Sequence, residues 1–138
     1  MSEKYQLTLD ELDGFAKEFL EKFQSGVVIV QGDLAAGKTT LVKQFAKAKG
    51  IDEEVTSPTF SLQQCYGKDI FHYDIYNHGL EHFLSLGMME ELEKEGLHFV
   101  EWGDEALEEL LISAGFDVAV ITIEKIAPEK REYNICIH

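Results

Sequence analysis

The 138-residue sequence is sparing with the residues that punctuate, cross-link or attract anions. It contains two prolines, two cysteines, one tryptophan and a single arginine, Arg131. With proline only at Pro58 and Pro128 and no repeat or low-complexity tract, nothing divides the chain, and one domain over residues 1–138 is expected. Cys65 and Cys136 form no CxxC and no pairing pattern, which points to reduced thiols in a cytosolic compartment rather than a disulfide framework. No stretch reaches the roughly 18 consecutive apolar residues of a membrane span. Met1 to Asp10 lacks the basic-then-apolar order of a signal peptide, so a cytoplasmic protein without membrane contact is expected. Positive charge is scarce: 12 Lys and Arg stand against 26 Asp and Glu, a net charge of −14. Such a field repels phosphate backbones and argues against a stand-alone nucleic-acid binder. A phosphate ligand has to be held by local geometry, and an RNA through a partner.

What is present is a globular composition, 45% hydrophobic and 28% charged, which excludes disorder, collagen and coiled coil. Thr8-Leu9-Asp10-Glu11 fits a capping box, and Leu12, Phe15, Ala16, Phe19 and Phe23 follow at helical spacing. Val27 to Val30 is an unbroken β-branched run, the mark of a buried parallel strand. A helix is predicted from Lys38 to Lys49, and strands over Thr59 to Tyr66 and Ile70 to Asp74 about a turn at Gly67. A helix broken at Gly87 covers Leu80 to Glu95, followed by a strand over Leu97 to Val100 and a helix over Glu105 to Ser113. Val118 to Ile126 and Arg131 to Ile137 read as a closing strand pair. The alternation predicts an α/β fold: a largely parallel central sheet with antiparallel additions and helices on both faces. Ten acidic residues and one lysine fall between Glu81 and Glu109, either a solvated helical surface or a docking face for a basic partner.

Gly32-Asp33-Leu34-Ala35-Ala36-Gly37-Lys38-Thr39 matches the P-loop pattern G-x-x-x-x-G-K-[ST]. The glycines let the backbone turn its N–H groups inward as an anion nest, and the following helix adds its N-terminal partial charge. Lys38 supplies a mobile cation, and Thr39 a hydroxyl suited to Mg²⁺. The pattern arises by accident in about 0.5% of chains this long, given ordinary glycine usage. Here a strand precedes it and a helix follows.

A P-loop needs acids at neighbouring strand ends to hold the metal and orient water. Asp74 ends Ile70-Phe71-His72-Tyr73-Asp74, and Glu101 ends Leu97-His98-Phe99-Val100-Glu101. Ser57-Pro58-Thr59 makes a stiff loop with two hydroxyls, able to sense a γ-phosphate or its metal. Other residues carry less. His72 is expected to pack beside the sheet end. His78 and His82 lie four apart, which is two ligands and not a site. Trp102 reads equally as a partner anchor or a core-edge aromatic.

The P-loop with Thr40, Ser57-Pro58-Thr59-Phe60, His72-Tyr73-Asp74-Ile75-Tyr76, Leu86-Gly87 and Val100-Glu101-Trp102 together resemble the bacterial TsaE family. The resemblance covers about Val27 to Asp104. It implies a P-loop ATPase that takes ATP and Mg²⁺, turns over slowly, and serves threonylcarbamoyladenosine modification at adenosine 37 of tRNA. It implies TsaD and TsaB homologues as partners, with tRNA reached only through them. By the same likeness Ala35, Ala36, Gly37, Lys38, Thr39 and Thr40 hold the phosphates. Thr39 and Glu101 become metal-site residues, Asp74 the acid for hydrolysis, and Thr8 and Arg131 the neighbours of the adenosine. The family usually has glycine where Ala35 stands, and commonly an arginine where Asn77 stands. A small-molecule kinase and a nucleotide-gated binding module without essential turnover are the alternative functions; the kinase needs an acceptor pocket and usually lid arginines, and the chain has one arginine.

Overall fold

The computed structural model describes residues 2–32, 37–51, 63–67, 70–75, 79–85 and 87–138. Among the described residues seven strands form one sheet. In chain order they are β1 (Ser2–Thr8), β2 (Gly26–Gln31), β3 (Gln63–Tyr66), β4 (Ile70–Asp74), β5 (Leu97–Glu101), β6 (Val118–Ala127) and β7 (Lys130–Ile137). Their spatial order is β1-β7-β6-β2-β5-β4-β3. The central four, β6, β2, β5 and β4, run parallel, whereas β7, β1 and β3 add antiparallel edges. The expected α/β architecture is therefore present, with the parallel strands at its centre.

Helices α1 (Leu12–Lys22) and α2 (Lys38–Ala48) cover one face. Between them and the sheet lies an aromatic core in which Phe45 stacks on Phe99 at 5.1 Å and meets Phe19 edge-on at 5.2 Å. Helices α3 (Gly79–Ser85), α4 (Met88–Leu92) and α5 (Glu105–Ser113) belong to the opposite face, where Phe83, Leu92, Leu107 and Leu111 pack with Val27, Ile29, Tyr73 and Val100. β2 explains its own sequence: Val28 and Val30 join one core and Val27 and Ile29 the other, so the run from Val27 to Val30 is apolar throughout.

Three departures from the expected elements bear on the site. An N-terminal strand, β1, precedes the capping box, pairing antiparallel with β7 so that Leu7 lies opposite Arg131 and Thr8 opposite Lys130. Its Lys-Tyr-Gln-Leu alternation buries Tyr5 and Leu7 in part and leaves Lys4 and Gln6 exposed, the pattern of a half-buried edge. The first helix accordingly starts later than expected: Leu9–Glu11 is a 3₁₀ turn and the α-helix begins at Leu12. Glu11 nonetheless reaches back, accepting from the Thr8 backbone N–H at 2.9 Å and from its hydroxyl at 3.0 Å. The fourth helix stops at Leu92 and not at Glu95, with Gly87 at φ 75° breaking it from the third as the sequence indicated.

Candidate active site

β2 delivers the chain to Gly32, and α2 starts at Lys38 one residue after Gly37. Gly37 has φ 104°, a left-handed conformation that strains any residue with a Cβ, and its carbonyl accepts the Leu41 N–H at 3.0 Å to open the helix. Lys38 is 4% exposed. Its Nζ donates to the Gly32 carbonyl at 2.9 Å and stands 3.9 Å above the centre of the Trp102 ring. Among the described residues, Trp102 is the one non-glycine with positive φ, at 67°. Its N–H donates to the Val30 carbonyl at 3.2 Å, pinning this unusual backbone beside β2. Trp102 is partly buried and packs on the edge of the second core, the core-edge aromatic of the two readings, and it has a further contact. It is the apolar wall against which the P-loop lysine rests.

Strand register decides what faces that lysine. Asp74 lies opposite Glu101 and His72 opposite Phe99 in the parallel β4–β5 pair. Side chains two apart share a face, so His72, Asp74, Phe99 and Glu101 all point towards α2, and Phe71, Tyr73 and Val100 point away. The α2 side meets them: the Thr39 hydroxyl donates to Glu101 Oε2 at 3.1 Å. The same oxygen is bonded to His72 Nε2. Glu101 is 3% exposed and His72 fully buried, while Asp74 is half-buried at the strand end. His72 does pack at the sheet end as expected, but its bond to Glu101 places it inside the site, a contact that the sequence reading missed. The available signal was its place two residues before Asp74 on one strand. Thr39 and Glu101 offer two hard oxygen donors, which suits Mg²⁺, an ion that takes one or two protein ligands and keeps several waters. Among the described residues no three His, Cys, Asp or Glu side chains converge into a cage for a metal.

Beside the start of α2 opens a cleft of about 570 Å³. That volume falls within the usual range for small-molecule sites. Thr8, Gly37, Thr40 and Arg131 line it, together with apolar Leu9, Leu12 and Pro128. The Arg131 side chain approaches Gly37, its Nε 3.5 Å from where a Cβ would stand. Four expected nucleotide residues from three distant parts of the chain thus share one wall. Ala35, Ala36, Ser57 and Thr59 lie outside the described residues, as do Asn77 and His78.

On the far face of β4 and β5, a second polar chain runs from Gln63 Nε2 to the Tyr73 hydroxyl at 3.1 Å and from Tyr73 to His98 Nδ1 at 2.7 Å. His98 Nε2 donates to the Lys94 carbonyl at 2.7 Å, which fixes the neutral tautomer. Burial holds the His98 imidazole below its usual pKa and pushes the Tyr73 phenol up. The exposed His138 pairs with Glu108 at 2.6 Å, remote from the cleft.

A parallel β2–loop–α2 unit with a left-handed glycine, a buried lysine at the helix start and a strand-end carboxylate bonded to the next threonine defines an α/β protein of the P-loop class. A family model described as threonylcarbamoyl adenosine biosynthesis protein TsaE matches residues 7–133. The chain belongs to the TsaE family, whose members take part in making threonylcarbamoyladenosine in tRNA. It is 43% identical over 90 residues to the TsaE protein of Treponema pallidum, covering 63% of this chain and 67% of that one. It is 34% identical over 111 residues to that of Bacillus subtilis, covering 72% and 70%. The crystal structure of Bacillus subtilis YdiB superposes with a TM-score of 0.68 at 25% identity, over 98% of this chain and 84% of that one. Among the described residues no helix is long and apolar enough to cross a membrane.

Proposed function

We propose that this protein binds ATP with Mg²⁺ in the cleft beside α2 and hydrolyses it slowly, in support of tRNA threonylcarbamoyladenosine modification with TsaD and TsaB partners. The observation that carries the reading is the 3.1 Å bond from Thr39 to Glu101 at the end of the Gly32 to Thr39 sequence match. It joins the two oxygen donors that the chemistry requires to be adjacent. Lys38 leaves the Gly32 carbonyl and the Trp102 face to meet the β- and γ-phosphates. Thr39 and Glu101 hold the metal, which when bound neutralises charge on the phosphate oxygens. Asp74, beside Glu101 in the register, orients water for attack. Arg131 and the Thr8 turn hold the nucleoside end of the ligand.

The chain carries a single arginine, on the cleft wall beside Gly37. Charge developing on the γ-phosphate is therefore poorly offset in the isolated protein, where an arginine finger contributes about 10³–10⁵ in rate. Partners supply what is lacking, and the exposed carboxylates of Glu90, Glu93, Glu105 and Glu109 favour a basic docking surface. Phosphate release measured alone and with TsaB, TsaD and tRNA, at two salt concentrations, tests this. A rise of at least tenfold, ~1.4 kcal/mol of barrier, is expected with partners, and it should shrink as salt increases. Absence of ATP binding, or fast turnover unchanged by partners, refutes the reading.

A further inference from the structure

The Glu101 carboxylate is not held by Thr39 alone. His72 lies 29 residues earlier in the chain, on the neighbouring strand, and its Nε2 bonds the same Oε2 that accepts from Thr39. The imidazole is itself secured at its other end: the Tyr66 hydroxyl gives its proton to Gln64 Oε1 at 2.6 Å, and its oxygen accepts from His72 Nδ1–H at 3.3 Å. Both His72 and Tyr66 are buried, at 0% and 3% exposure. A chain of side chains thus runs from β3 through β4 to β5 and ends on the first turn of α2. Its direction is informative. A glutamate has three side-chain torsions and, unrestrained at a strand end, samples many positions. A metal-binding carboxylate is useful only when its oxygen stays within a few tenths of an ångström of where it is needed. Outer partners that fix such ligands are commonly worth 10–100-fold in metal affinity.

We propose that His72, anchored by Tyr66, is the positioning residue that holds the Glu101 carboxylate at the Thr39 hydroxyl, and so determines how well the site binds Mg²⁺ with nucleotide. His72 acts through Glu101 and does not itself touch phosphate or metal. A plain core role would require only the ring's volume. The positioning role requires its Nε2–H as a donor, and the two are separable. Phenylalanine keeps the volume and loses the donor, whereas glutamine places an amide N–H near the same point.

This proposal rests on the reading of Thr39 and Glu101 as metal-site residues, so the test measures wild-type protein first. ATP affinity is determined by calorimetry with Mg²⁺ and with chelator, and turnover is titrated with Mg²⁺, with circular dichroism and melting curves as folding controls. No metal-dependent gain in wild-type affinity overturns the underlying reading and the proposal with it. Given that gain, His72→Phe is expected to lose about tenfold in affinity with Mg²⁺ and to stay within about twofold of wild type with chelator. Its half-saturating Mg²⁺ should rise about tenfold, with kcat largely recovered at high Mg²⁺. His72→Gln should restore most of both. Where His72→Phe does not fold, Tyr66→Phe decides the matter. It removes only the anchoring hydroxyl and should raise half-saturating Mg²⁺ at least threefold with kcat preserved. A His72→Phe variant equal to wild type overturns the proposal, as does equal weakening with and without metal. Failure of His72→Gln to differ from His72→Phe, or an unchanged Tyr66→Phe, does the same.

Discussion

Gly103 directly follows the Glu101-Trp102 pair and is buried where β5 hands over to α5. A Cβ built on it would lie 2.8 Å from Ile29 Cγ2 and 3.1 Å from Leu107 Cδ2. Unstrained carbons sit about 3.5–4.0 Å apart, so each neighbour would have to retreat by roughly 0.4–1.2 Å. Neither can do so freely. Ile29 and Leu107 are both 0% exposed, and Ile29 is β-branched on the central strand, so its Cγ2 moves only with χ1 or with the backbone. Gly103→Ala should therefore cost about 1–3 kcal/mol, the range for an overpacked core. At this chain length that is a fall in melting temperature of roughly 3–15 °C. The contact can be verified by a cycle with Ile29→Ala, which alone should cost about 2–5 kcal/mol through its cavity. In the double variant the alanine methyl occupies space vacated by the isoleucine. The combined loss should fall short of the sum by at least about 1 kcal/mol in urea unfolding. Because Gln31 Nε2 donates to the Gly103 carbonyl at 3.0 Å and Trp102 supports Lys38, the single variant should also weaken ATP binding. An unchanged melting temperature, or strict additivity in the cycle, refutes the argument.

Lys38→Ala should abolish measurable ATP affinity in calorimetry, since the cradle loses its mobile cation; wild-type-like binding would remove the P-loop assignment. Arg131→Ala removes a charged donor from the cleft wall and should weaken ATP at least tenfold, since a hydrogen bond to a charged group contributes about 1.5–3 kcal/mol, with little change in melting temperature. His98 titrates low because it is buried, so above an unfolded pKa of about 6.5 it is neutral in both states and costs nothing. As pH falls below that value the unfolded chain takes up the proton and the folded one does not, so stability drops. From pH 7.5 to 5.5 the loss from this group is at most about 1.4 kcal/mol. Urea unfolding of wild type and His98→Gln at both values should show the drop reduced in the variant, and equal drops would contradict it.

Much of this protein is written locally. The Gly32 to Thr39 match, the β-branched run of β2, the helix over Glu105–Ser113 and the acids ending β4 and β5 can each be read from a few adjacent residues. Backbone preference and hydrophobic period act over one or two turns of chain. Partnership between strands is not written that way. β1 went unseen because its alternation is short and a strong helix-start signal follows at once. Only pairing with β7, more than a hundred residues away, turns it into structure and brings Thr8 and Arg131 to one cleft with Gly37. The bond between His72 and Glu101 likewise needs β4 and β5 to be neighbours in a particular register, and a shift of one residue would send His72 to the opposite face. The rest of Lys38 on Trp102 needs a tryptophan held at φ 67° by the hydrogen bond that its N–H donates to Val30 on β2. The sequence alone thus determined most of the elements, the P-loop pattern and the residue types of the site. Which side chains touch was decided by sheet order and register, set by burial of two cores at once and not by any local stretch of chain.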